Sequence, residues 1–182
     1  MFELSEIEEL VNQINLPRLY EIAKNSAQIG NEILKINYNK IQKISSKGRK
    51  GDLVTNVDLE VENKIKEYLL QETPNISIHA EESGKLNKSS DLTWCIDPLD
   101  GTTNYSHGYP FFGSSIGLVY KNNPIIGAIS VPYLSELYSA CIGLGSFCND
   151  IKLKVTSPSN LSDSLLVTGF AYDRFEVEDN NY

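Results

Sequence analysis

The apolar residues of this chain change their spacing partway along, and that change limits the possible folds more than any other feature. Leu19, Ile22, Ala23, Ala27, Gly30, Ile33 and Leu34 recur at helical intervals, and Val57, Val61, Ile65, Tyr68 and Leu69 repeat the pattern. From Ile76 onward the spacing shortens to alternation and brief apolar runs, over 76–80, 92–96, 114–120, 125–131 and 136–142. Helices grouped early and strands grouped late describe an α+β chain, with helices packed on a largely antiparallel sheet.

Turn chemistry places the boundaries. Pro17 suits the first turn of a helix, and Pro74-Asn75 ends the second one. Lys121-Asn122-Asn123-Pro124, Pro132-Tyr133-Leu134-Ser135 and Gly143-Leu144-Gly145-Ser146 read as turns between strands. A short acidic helix is expected over 4–14 and a last strand over 165–168. The basic segment carrying Lys40, Lys43, Lys47, Arg49 and Lys50, with Gly48 and Gly51, reads as a strand edge or loop rather than a linker.

At 182 residues the chain can bury a core without disulfide or metal support. Cys95, Cys141 and Cys148 are odd in number and lack CxxC spacing. They read as small core residues of a protein kept in a reducing compartment, the cytoplasm or an organellar stroma. Sixteen Lys+Arg against 24 Asp+Glu give a net charge of −8, the opposite of a nucleic-acid surface. No run approaches the roughly 18 apolar residues of a membrane span, and the acidic start Met1-Phe2-Glu3-Leu4 lacks the order of a signal peptide. Neither a nucleic acid nor a membrane is therefore an expected partner. An anionic substrate stays open, because a bound cation reverses the local sign of charge.

Acidic residues gather at element boundaries. Asp52-Leu53-Val54-Thr55-Asn56-Val57-Asp58 enters the second helix, with Glu60 and Glu62 following in turns where the helix dipole favours negative charge. Ala80-Glu81-Glu82-Ser83-Gly84 follows one strand. Trp94-Cys95-Ile96-Asp97-Pro98-Leu99-Asp100-Gly101-Thr102-Thr103-Asn104 closes another. Singly, each has an ordinary explanation: helix capping, a charged loop, and a polar turn. Together they put carboxylates at several strand ends, where they would repel unless a cation held them. In the third segment Pro98 fixes the backbone, so that Asp97, Asp100 and the Leu99 carbonyl can converge on a hard cation such as Mg²⁺. Gly101-Thr102-Thr103 offers backbone N–H groups at a helix start, with Thr as N-cap, and such a start is a cradle for phosphate. A cation beside an anion cradle is what phosphate-ester hydrolysis requires.

These segments resemble those of the inositol monophosphatase family of Mg²⁺-dependent phosphatases. Trp94 to Asn104 looks like the family's W-x-I-D-P-[IL]-D-G-T-T-N run, and Asp52 to Asp58 like its D-L-V-T-x-x-D segment. Glu81-Glu82-Ser83 is similar to its G-E-E-S segment, with Ala80 in place of glycine. Gly143 to Asn149 is similar to its G-x-G-x-F-x-N turn, and 165–169 to the strand that follows. The resemblance implies the N-terminal part of the layered α/β sandwich of sugar phosphatases, so that 1–182 is one metal- and phosphate-binding domain. It implies that Glu81, Asp97 and the Leu99 carbonyl hold one Mg²⁺, that Asp100 helps bind a second, and that Asp58 contributes to a further metal position. Asp58 and Thr102 would orient the attacking water, with Glu81 also in the catalytic set. The Gly101, Thr102 and Thr103 amides would cradle phosphate, and Asp52 and Glu82 would support from behind. His79 and His107 match no ligand pattern.

The implied reaction is attack by metal-activated water on a small phosphorylated alcohol of the inositol monophosphate type. Histidinol-phosphate phosphatase or another sugar phosphatase of the same family is the alternative activity. The family's W-D-x-A-A-G-like segment has no counterpart here, since Trp94 is the single tryptophan. A chain lacking its second subdomain is therefore expected, with an exposed surface open to homodimerisation or other association. An inactive metal-binding relic is the non-catalytic alternative. A Ca²⁺ module lacks the D-x-[DN]-x-[DN]-G loop it would need.

Overall fold

The computed structural model describes residues 14–40, 44–46 and 53–168. The expected helix over 4–14 lies outside them except for Ile14. Asp52, Gly169 and the basic residues Lys43, Lys47, Arg49 and Lys50 also lie outside.

Helix α1 (Leu16–Asn37) opens where the Asn15 side chain accepts the Arg18 N–H, with Pro17 in its first turn. Its apolar stripe, from Leu19 through Leu34, is buried. A short hairpin of β1 (Ile44–Ser46) and β2 (Leu53–Thr55) leads into α2 (Asn56–Glu72), which ends at Thr73 before Pro74. Then come β3 (Ser77–Ala80), β4 (Gly84–Leu86), β5 (Leu92–Asp100), the one-turn α3 (Thr102–Ser106), β6 (Gly113–Tyr120), β7 (Asn123–Val131), β8 (Glu136–Cys141), β9 (Gly145–Cys148) and β10 (Ile151–Lys152).

These last strands form one eight-stranded sheet ordered β10-β9-β8-β7-β6-β5-β3-β4. Its neighbouring strands are antiparallel except for the parallel pair β3–β5. The α+β expectation holds. Helix α1 packs across β6, β7 and β8, while α2 lies on α1 and β5. Alternation does the sorting. Trp94, Ile96, Ile116, Leu118 and Ala128 are buried, whereas Cys95, Asp97, Gly117, Gly127 and Tyr138 line an open trough of about 850 Å³. The Trp94 ring is fully enclosed, and its Nε1 donates to Thr73 Oγ1 at 3.0 Å, tying the sheet to the end of α2. Gly30 brings the α1 backbone down onto β6: a Cβ there would stand 2.4 Å from Ser114 Oγ.

Four expectations need correction. Strand β5 does not stop before Asp97 but runs to Asp100, its register shifting between those two residues. Pro98 has no N–H for the ladder, and a bulge accommodates it without ending the strand. The β6–β7 turn is tighter than expected: Lys121 and Asn122 alone take positive φ (46° and 69°), while Asn123 and Pro124 already belong to β7. The N-cap of α3 is Gly101, at φ 89°, rather than a threonine. Residues 165–168 form no strand; they are exposed and pair with none of the described strands. Among the described residues no helix is long and apolar enough to cross a membrane.

Candidate metal and phosphate site

The start of α2 organises one side of the site. Thr55 accepts the N–H groups of Val57 and Asp58 at 3.1 and 3.4 Å, while Asp58 Oδ2 accepts the Thr55 N–H at 2.9 Å and its hydroxyl at 2.5 Å. This reciprocal cap satisfies helix amides that would otherwise lack partners. It also fixes Asp58 so that Oδ1 faces the Thr102 hydroxyl, 3.2 Å away. That hydroxyl lies 3.0 Å from the Leu99 carbonyl as well. Asp58 is almost wholly enclosed, and burial pushes its carboxyl above the usual range against the opposing pull of its hydrogen bonds to Thr55 and Thr102.

The parallel pair β3–β5 organises the other side. It sets Ala80 beside Ile96, so Glu81 follows β3 where Asp97 follows Ile96, and the Glu81 N–H donates to the Ile96 carbonyl at 3.0 Å. Asp97 and Glu81 share a side-chain hydrogen bond, and Asp100 adds its charge from the far side of the bulge. Burial first, and then Glu81 and Asp100, push Asp97 up to about 7. Asp97 Oδ1 also accepts the Leu99 N–H at 3.2 Å, which shapes the bulge.

Glycine is required at the start of α3. Gly101 has φ 89°, and a Cβ there would meet the Phe111 carbonyl at 3.1 Å. The α3 start has no side-chain cap. Asn104 braces it from below, its Nδ2 donating to the Phe111 carbonyl at 2.8 Å. The Tyr105 hydroxyl ties α3 to α1 through the Leu34 carbonyl at 3.0 Å.

The expected residues are thus brought together in two groups. Glu81, Asp97 and Asp100 make one; Asp58, Thr102 and the Leu99 carbonyl make the other; the Leu99 segment joins them. Full convergence of the carboxylates is not seen: among the described residues, no three His, Cys, Asp or Glu side chains are placed to hold a metal by themselves. The Thr102 hydroxyl lies within hydrogen-bond reach of both Asp58 Oδ1 and the Leu99 carbonyl. The donor set nevertheless suits a hard cation. It consists of oxygen throughout, and the carboxyl group most crowded by like charge keeps its proton to about neutrality.

Two further residues shape the site. In the sequence Thr55 stands only as part of a segment, and Glu62 only as a charge favoured by a helix dipole. Glu62 is in fact buried, and its carboxylate accepts the N–H groups of Glu82 and Ser83 at 2.7 and 3.0 Å. One signal was available: Asp58, Glu62, Ile65 and Leu69 fall on one helical stripe, so two acids interrupt an otherwise apolar face.

The model of the inositol monophosphatase family matches residues 15–180. The inositol-1-monophosphatase of Synechocystis sp. is 45% identical over 154 residues, covering 84% of this chain and 53% of its own length. The fructose-1,6-bisphosphatase/inositol-1-monophosphatase of Aquifex aeolicus is 41% identical over 158 residues, covering 86% and 60%. Among solved structures, an inositol monophosphatase from Anabaena superposes with a TM-score of 0.78 at 41% identity, over 93% of this chain and 62% of that one. The chain spans little more than half the length of these relatives.

Proposed function

Because the chain belongs to the inositol monophosphatase family, we propose that it supplies the cation- and phosphate-binding unit of a Mg²⁺-dependent phosphomonoesterase for a small phosphorylated alcohol. The observation that carries this reading is the Glu81–Asp97 pair, two carboxyl groups within hydrogen-bond reach of each other, with the uncapped start of α3 following four residues after Asp97 in the chain. Glu81, Asp97 and the Leu99 carbonyl would hold the first cation. Asp100 would help hold a second, with Asp58 at a further position. Magnesium bound there would neutralise phosphate charge and lower the pKa of water.

The chain's own residues have separable tasks. The Gly101, Thr102 and Thr103 amides would fix the phosphate oxygens at the start of α3. The Thr102 hydroxyl, between Asp58 Oδ1 and the Leu99 carbonyl, would orient the attacking water and hand its proton toward Asp58. Burial, which makes Asp58 more basic than an exposed carboxylate, favours that transfer. No cysteine or histidine is assigned a role. Cys95, Cys141 and Cys148 are unpaired, which supports a reducing, cytoplasmic setting.

Inositol monophosphate is the substrate favoured by the Synechocystis relative's name. The Aquifex relative's name adds fructose 1,6-bisphosphate, so a sibling sugar phosphatase is the second reading. Phosphate release should be measured from inositol 1-phosphate, histidinol phosphate and fructose 1,6-bisphosphate, with and without Mg²⁺. Metal-dependent release that Asp97→Asn abolishes supports the proposal. Release without metal, or unchanged in the variant, refutes it, and Mg²⁺ binding without release leaves the relic reading in its place.

A further inference from the structure

We propose that Glu62 is a positioning residue: it clamps the Glu81–Ser83 turn so that the Glu81 carboxylate faces Asp97. The inference rests on the cation-binding reading of Glu81 given above. Glu62 lies within α2, only 1% exposed, where an acid is retained only if its oxygens are satisfied. Its two oxygens go to consecutive backbone donors: Oε2 to the Glu82 N–H at 2.7 Å and Oε1 to the Ser83 N–H at 3.0 Å. A carboxylate that takes two neighbouring amides fixes the plane of the turn as well as its distance.

Lys66, one helical turn further on, completes the clamp. Its Nζ is 4.0 Å from Glu62 Oε1 and donates to Ser83 Oγ at 2.6 Å. The turn is gripped from the opposite side by β5, through the Glu81 N–H and the Ile96 carbonyl. Glu81 is therefore the residue at which the hold of α2 and the hold of the sheet meet.

The same helix carries Asp58 one turn before Glu62. At this spacing the side chains stand side by side, with Cβ atoms about 5–6 Å apart. One face of α2 thus addresses both groups of the site: Asp58 reaches Thr102, and Glu62 reaches the turn that bears Glu81. The separation between the two groups is set by a rigid helical turn rather than by loops, as outer contacts of metal ligands require.

Glu62→Gln tests this in the full 182-residue chain. The variant keeps the shape but sets an amide –NH₂ against one of the two N–H groups. Mg²⁺ affinity by titration calorimetry should fall about tenfold or more, the usual effect of removing an outer contact to a ligand. Amide exchange at Glu82 and Ser83 should quicken, while that of Leu118 in the core stays slow. Lys66→Met, which leaves Glu62 in place, should weaken Mg²⁺ binding less, and it stands in if Glu62→Gln fails to fold. Unchanged affinity in the folded variants overturns the proposal even if exchange quickens, since the contact would then serve only the fold. If the parent takes up no Mg²⁺, the proposed function falls and the positioning role falls with it, and quicker exchange at Glu82 and Ser83 then marks a contact that serves only the fold.

Discussion

The chemistry of Asp97 is strongly altered by its surroundings. Its folded-state pKa is raised to about 7 from an ordinary value near 4. The proton is therefore bound more tightly in the folded chain, and this contribution to stability is complete below about pH 4. It is lost as pH rises through about 7, when a buried negative charge comes to face Glu81 and Asp100. Denaturant melts without metal should show Asp97→Asn gaining on the parent between about pH 4 and 7. Added Mg²⁺ should restore the parent at pH 8 and leave the variant unmoved. Thr55 makes a different prediction. Thr55→Ala removes the hydroxyl that serves Val57, Asp58 and the Asp58 carboxylate, and should cost about 0.5–2 kcal/mol in a chemical melt. Residues that local spacing places near a helix start or a strand end were legible in the sequence, among them Asp58, Asp97, Gly101 and Thr102. Glu62 was not, because its partners lie 20 and 21 residues away and only the packing of α2 beside the β3 turn brings them within reach.

At the scale of elements, periodicity located α1, α2 and the strands β3, β5, β6, β7 and β8, because the helices each bury one stripe and these strands one face, and it missed the short β4, β9 and β10. It failed where backbone chemistry competes with pattern. Asp97-Pro98 reads as a stop, yet antiparallel pairing with β6 carries β5 past it to the Asp100–Gly113 pair. Residues 165–168 have a strand's composition, and a strand also needs a neighbour to pair with. Gly30 brings α1 close onto β6, where a Cβ would collide with the Ser114 side chain. Gly30→Ala should lift α1 from β6 and cost about 1–3 kcal/mol by overpacking, outweighing the helix propensity gained. Thermal unfolding of the variant measures this, and a stabilised Gly30→Ala would show that the approach is looser than drawn.

Considered whole, the molecule is asymmetric. Among the described residues, one face of its sheet lies beneath two helices, and the other opens as the trough, in which Ile129 and Tyr138 are exposed and which Glu81 and Asp97 also line. Apolar surface of that kind drives association. Sedimentation should show concentration-dependent self-association of the chain that Ile129→Glu reduces. The Glu81–Asp97 pair lies in this trough, the Leu99 segment links it to Asp58 and Thr102, and the central claim is that these oxygens serve one cation site. Titration calorimetry with Mg²⁺ near neutral pH tests it most directly. The parent chain should take up the ion, with affinity increasing as pH rises through about 7 and Asp97 releases its proton, and Asp97→Asn should take up little. No heat of binding in the parent, or equal uptake in the variant, would contradict the account.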